Sequence, residues 1–278
     1  MKRKILALAA ACAVLAVSGC NNTPAATSAN TTAATTAATT TTTAETTTTT
    51  TAASTETPDE TASVMSHAEY IAASVDDPVT VETYVQGKQG WWEDNGVGKA
   101  SFYAQNKSDD EGGYFFYEMP CSKEDYDKIV PGTKLRVSGF KAEWSGEIEI
   151  IDSTFEIISG DTYVAEAKDV TALLGTDGLV DSQNEFVAFK GMTMEAQEDG
   201  SAFFYKWDNS GSQGDDLYFK VSDGKNTYTF TVESYLCGKD TDVYKAVEGL
   251  SVGDKIDMEG FLYWYNGVNP HITSVVKA

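Results

Sequence analysis

Basic residues are scarce in this chain of 278 residues: 20 Lys and Arg face 42 Asp and Glu, a formal net charge of −22. A field of that sign repels phosphate backbones and anionic lipid. Histidine is scarcer still. His67 and His271 stand far apart, neither in a zinc-binding spacing, so no metal ligand set is read. No GxSxG, HExxH, P-loop or GxGxxG pattern occurs, and no apolar pocket is legible that would lift one of the many carboxylates into an acid catalyst. The expectation is therefore a protein that is not an enzyme. Of the four cysteines, Cys12 and Cys20 lie in the first twenty residues, which leaves Cys121 and Cys237.

What is present begins at the N-terminus. Lys2, Arg3 and Lys4 precede an apolar run from Ile5 to Val17 that is too short to span a bilayer, and small residues lead to Cys20. Val17-Ser18-Gly19-Cys20 resembles a bacterial lipobox. The resemblance implies a lipoprotein signal peptide over 1–20, cleavage before Cys20 and acylation of the Cys20 thiol. It also implies residence at the bacterial cell membrane, lipid-anchored on the extracytoplasmic face. Residues 21–63 then read as a disordered Thr/Ala-rich tether: between 31 and 51, 15 of 21 residues are threonine, with no apolar period. About 200 residues remain, enough for two small domains and too few for one large enzyme fold with appendages.

Past the tether the chain repeats. Gly132, Gly139-Phe140 and Gly146 match Gly253, Gly260-Phe261 and Gly267 at a constant offset of 121. Alternation places strands near 79–88, 98–106, 113–119, 133–143 and 147–158, and again near 185–196, 217–222, 226–234, 254–264 and 268–276. A short helix capped by Ser122 follows the third strand, with a counterpart near 241–247. Ser66 with Glu69 predicts another before the first strand. Leu135 and Val137 share one parity, Phe140 and Ala142 the other, so a bulge at Gly139, and likewise at Gly260, is needed to bury both sets.

Five strands with a helix between the third and fourth resemble the OB-fold, a Greek-key barrel. The fold expected is all-β with short helices: two tandem five-stranded OB-like barrels after a disordered tail, with domains at 64–158 and 185–278 joined by 159–184. That linker carries a short helix over 169–174, stopped by Gly175.

In OB-folds the ligand face is bounded by the loop between strands one and two and the loop between strands four and five. Here those loops hold Trp91, Trp92 and Trp144 in the first copy and Trp207, Tyr263, Trp264 and Tyr265 in the second. These are the candidate ligand-binding residues, since flat aromatic faces stack on sugar rings and bases alike. The alternative is that they plug barrel ends or join the barrels. Each barrel carries 8 basic against 15 acidic residues, so nucleic acid is disfavoured and a glycan or an envelope protein is preferred. The function expected is a surface-anchored, non-catalytic binding or adaptor lipoprotein. Single-stranded nucleic-acid binding and a purely structural role are the alternatives. No cofactor is expected. Calcium is the lesser reading of the acidic run 208–216, which departs from the EF-hand pattern.

Overall fold

A computed structural model describes residues 63–107 and 112–278. The expected signal peptide over 1–20, Cys20 and the expected tether before Ser63 lie outside the described residues.

Helix α1 (His67–Ala72) opens on the expected capping box: Ser66 Oγ accepts from Glu69 N, and the Glu69 carboxylate accepts from Ser66 N at 2.8 Å. Thirteen strands follow. The first copy contains β1 (Pro78–Lys88), β2 (Trp92–Asp94), β3 (Val97–Gln105), β4 (Gly113–Pro120), α2 (Lys123–Lys128), β5 (Thr133–Trp144) and β6 (Glu147–Thr162). After β7 (Lys168–Asp169), the second copy contains β8 (Phe186–Glu195), β9 (Phe203–Tyr205), β10 (Leu217–Ser222), β11 (Thr227–Val232), α3 (Asp242–Glu248), β12 (Lys255–Phe261) and β13 (His271–Lys277).

The first sheet runs β1-β5-β6-β4-β3, and β3 pairs back to β1, so the sheet closes on itself. Its one parallel contact joins β4 to β6. The second sheet repeats that circular order, β8-β12-β13-β11-β10 with β10 returning to β8, and its β11–β13 contact is likewise parallel. Taken in order within each copy, the five long strands follow the path of the OB-fold barrel. Val81, Val85, Phe102, Phe116, Leu135, Val137 and Ile150 fill the first barrel. Val187, Phe189, Phe219, Phe230, Ile256, Met258 and Ile272 fill the second.

The paired glycines occupy matching places. The β5–β6 register shifts between Ser138 and Phe140, and the β12–β13 register between Glu259 and Gly260, which gives the two bulges the parity argument requires. Cys121 and Cys237 are both unpaired, each packed into its own barrel core as a small apolar filler.

Three details differ from expectation. Strands β2 and β9 add edges where loops were read: Asn95 and Gly96 have φ of +52° and +83° and turn the chain back onto β3 as a hairpin. Strand β6 continues to Thr162. The helix expected over 169–174 shrinks to a 3₁₀ turn at Thr171–Leu173, followed by a second at Asp177–Ser182, because Val170 and Leu174 are drawn into the second core.

Helix α1 is clamped to the first barrel by a buried lysine. The Lys141 ammonium donates to the carbonyls of Tyr70, Ile71 and Ala73 at 3.1, 2.7 and 2.8 Å, taking up the acceptors that a helix end leaves unmet. Lys141→Met keeps the stem and strands those carbonyls. Urea unfolding should show a loss of about 2–3 kcal/mol, and an unchanged midpoint would refute the clamp.

Candidate ligand cleft between the barrels

The barrels meet through side chains that point away from both cores. Tyr103 of β3 stacks parallel on Phe261 of β12, ring centroids 4.3 Å apart, and its hydroxyl shares a 2.8 Å hydrogen bond with His271 Nδ1. Phe115 and Phe186 complete this apolar joint. Gly87 permits the approach, since a Cβ there would stand 2.6 Å from the Phe261 ring. Backbone bonds tie the seam as well: Gly90 N donates to Tyr235 O at 2.7 Å and Asn266 N to Ser145 O at 2.7 Å.

Beside this joint opens a cleft of about 660 Å³. The first barrel contributes Gln89, Gly90 and Trp92 from the connection between its first two long strands, and Ser101, Phe115, Tyr117 and Glu118 from β3 and β4. The second contributes Tyr218 from β10, Glu233 and Tyr235 after β11, and Tyr263, Tyr265, Asn269 and His271 around the β12–β13 connection. Apart from Glu233 and Tyr235, these lie on the strands and loops on which OB-folds carry their ligands.

Burial sets the charges in the cleft. His271 lies under the Tyr263 ring, centroids 4.3 Å apart, and desolvation pulls its pKa down to about 3, so the imidazole is neutral. Glu233 accepts from the backbone N–H groups of Tyr235 and Leu236 and from Gln89 Nε2, yet burial outweighs those bonds and raises its carboxyl to about 7. Tyr117 and Tyr218 are both pushed up to about 12, chiefly by desolvation, and remain hydroxyl donors. Lys99 sits 5.3 Å from the Trp92 ring centre and pairs with Glu118 at 3.2 Å. Among the described residues lining the cleft there is no lysine or arginine. The arrangement offers flat aromatic faces with amide, carboxyl and phenol groups at their edges.

Of the seven candidates from the sequence, the fold brings Trp92, Tyr263 and Tyr265 together in the cleft. Trp91 instead packs against the first core, its Nε1 donating to Cys121 O at 3.1 Å. Trp264 packs against the second core. Trp144 and Trp207 are exposed, 60% and 70%, outside the cleft lining. Sequence reasoning missed Phe115 and Tyr117. Their signal is parity: Tyr114 and Phe116 fill the core, so the two rings between and after them must face outward on β4. In the acidic run, the Asp208 carboxylate is engaged by Ser210 N and Oγ; no group of three or more His, Cys, Asp or Glu among the described residues is placed to hold a metal ion.

No family model and no curated protein matches the chain. Solved structures similar to it include a murine DNA-binding protein bound to double-stranded DNA, at 14% identity, 73% of this chain, 96% of that one and a TM-score of 0.33. Another is a replication protein A heterotrimer bound to single-stranded DNA, at 11% identity, 74% and 50% coverage and a TM-score of 0.32. A third is the single-stranded DNA-binding protein from Thermus aquaticus, at 11% identity, 72% and 93% coverage and a TM-score of 0.24. At these identities the likeness is one of fold.

The expected ligand requires correction. The preference for a glycan or an envelope protein over nucleic acid has no counterpart among the three similar structures above, each of which is a DNA-binding protein. The physical fault lay in the charge count, which weighs every carboxylate alike. In the cleft Glu118 is paired with Lys99 and burial raises the Glu233 carboxyl to about 7, so the chain's formal charge does not describe the surface a ligand meets.

Proposed function

We propose that this chain is a non-catalytic binder of single-stranded nucleic acid, whose unpaired bases stack in the cleft between the two barrels. The observation that supports it is the coincidence of an aromatic wall with the OB ligand surface: Tyr117 on β4, Trp92 on one connection and Tyr263 and Tyr265 on another, backed by the buried Phe115. Gln89, Asn269 and Glu233 offer hydrogen-bonding groups to base edges. Because no basic side chain lines the cleft, affinity rests on stacking rather than on phosphate contacts. A fluorescence titration with a thymidine 12-mer should therefore show a salt slope no steeper than about −0.7, the value for a single neutralised phosphate. Trp92→Ala and Tyr117→Ala, both at exposed positions, are each expected to weaken binding at least about fivefold, as base–aromatic stacking of ~1–3 kcal/mol implies. Trp144→Ala and Trp207→Ala should leave it unchanged. Absence of binding by the unaltered protein at ~50 mM salt defeats the reading.

The same proposal takes 64–158 and 185–278 as the two domains, 159–184 as their linker, and Cys20 as a lipidated anchor that displays them from a bacterial membrane. The lipobox resemblance supports the anchor. Cys20→Ser should move the protein from the membrane fraction to the medium, and retention would refute lipidation.

A further inference from the structure

Two side-chain amides in the cleft wall are oriented by buried residues behind them. Thr231 on β11 and Glu233 just after it share a parity, and both are buried. In extended chain such side chains stand about 7 Å apart on one face. Each holds one amide: Thr231 Oγ1 donates to Asn269 Oδ1 at 2.8 Å, and Gln89 Nε2 donates to Glu233 Oε2 at 3.2 Å. The proton of a buried hydroxyl needs an acceptor, so Thr231 selects the oxygen end of Asn269. A carboxylate only accepts, so Glu233 selects the nitrogen end of Gln89. Asn269 is left presenting Nδ2, a donor, and Gln89 presenting Oε1, an acceptor, and both residues are partly exposed in the cleft lining. The amides come from different barrels. Gly90 N, next to Gln89, donates to Tyr235 O at 2.7 Å and pins one to the other across the seam.

A donor beside an acceptor reads the edge of a base. Guanine, thymine and uracil each carry a carbonyl next to an imino N–H, O6 with N1–H or O4 with N3–H. Adenine and cytosine reverse both, with an amino group next to a bare ring nitrogen. The first set gives Asn269 Nδ2 an oxygen to donate to and Gln89 Oε1 a proton to accept. Against the second, donor faces donor and acceptor faces acceptor. The carboxylates of the cleft, which would otherwise take an amino group, are already engaged: Glu118 by Lys99 and the Tyr117 hydroxyl, Glu233 by Tyr235 N and Leu236 N as well as by Gln89. Aromatic walls stack on every base, so stacking does not make this choice.

We propose that the cleft selects keto bases, guanine and thymine or uracil, over the amino bases adenine and cytosine, with Asn269 and Gln89 as the selecting side chains. The selection rests on the single-strand reading above and adds to it which bases are taken.

Fluorescence titration with a deoxyuridine 12-mer and a deoxycytidine 12-mer at one salt concentration tests this, because the two bases differ only along the edge in question. The uridine oligomer should bind at least about fivefold more tightly, as one good pair of base-edge hydrogen bonds implies. Asn269→Asp keeps the oxygen that Thr231 needs and puts an acceptor where the donor was, so it should abolish or reverse the preference with near-UV circular dichroism unchanged. Gln89→Met keeps the stem and removes the acceptor; it should bring the two affinities closer together and gives a second readout should the first variant not fold. Equal affinity of the unaltered protein for both oligomers, a preference for cytidine, or a uridine preference that survives both substitutions would overturn the selection and leave the single-strand reading standing. No binding of either oligomer would remove both.

Discussion

Gly260→Ala should cost the second barrel about 3–5 kcal/mol. At the β12 bulge a Cβ would overlap the carbonyl oxygen of His271 and stand 2.7 Å from Ile272 Cα. Both are backbone atoms of the paired strand and cannot rotate away. Opening the β12–β13 pair would displace His271, and with it the Tyr103 hydrogen bond and the ring beneath Tyr263, so the joint between the barrels should loosen together with the second core. Gly139→Ala meets Ile151 O and Ile150 Cγ2 at 2.7 Å in the matching place of the first barrel and should cost a similar amount. Gly178 is the control: its φ is not in the positive range and its nearest neighbour would be 3.9 Å away, so alanine there should be neutral or slightly stabilising. Thermal unfolding followed by tryptophan fluorescence measures all three. A Gly260→Ala protein that melts within a degree or two of the unaltered one would show that the bulge is not where the barrel closes.

Acidification from pH 8 to about 5.5 should stabilise the protein by roughly 2–4 kcal/mol and raise its melting temperature by roughly 10 °C. Burial raises Glu147 to about 8 and both Glu149 and Glu233 to about 7, each from an ordinary value of 4.5. A carboxyl raised by folding holds its proton longer in the folded than in the unfolded chain. Its contribution is complete below the unfolded value and is lost as pH climbs through the folded one, which places the loss between about pH 4.5 and 8. His271 works in the opposite sense. Its pKa falls from 6.5 to about 3, so its contribution is present above 6.5 and drains away as pH drops through 3. Three carboxyls against one imidazole leave a net gain down to pH 5.5. Further down, carboxyls held low in the fold, such as Glu82 by its bond to Lys134 and Asp161 by its bond to Lys107, reverse the trend. Reduced self-repulsion in so acidic a chain acts in the same direction as the buried carboxyls, and Glu147→Gln separates the two effects. The amide mimics the protonated acid, so the variant should exceed the unaltered protein in stability at pH 8 and match it at pH 5. A melting temperature that falls steadily from pH 8 to 5.5 would contradict the buried-carboxyl account.

Much of the barrel architecture was legible in local pattern. Val79, Val81 and Val85 alternate as a strand against a core must, and the glycines at 139 and 260 lie where two parities collide, which is where the register shifts occur. The edge strands β2 and β9 escaped because three residues are too few to establish a period, although Asn95-Gly96 carried the turn signal for the first of them. In the cleft, Trp92, Tyr263 and Tyr265 followed from loop position in an OB-like order of elements. Tyr218 and Tyr235 did not, because nothing local to β10 or to the segment after β11 says which outward face the other barrel will approach.

The sequence by itself determined the duplicated strand order and the bends that close each barrel, since alternation, turn residues and glycine placement act over a few residues and carry their own geometry. Only the tertiary structure decided which aromatic rings plug a barrel and which line a cleft, and which carboxylates keep their charge. Those outcomes depend on burial, and burial here comes from contacts such as that between Tyr103 and His271, 168 positions apart in the chain, which no local pattern encodes.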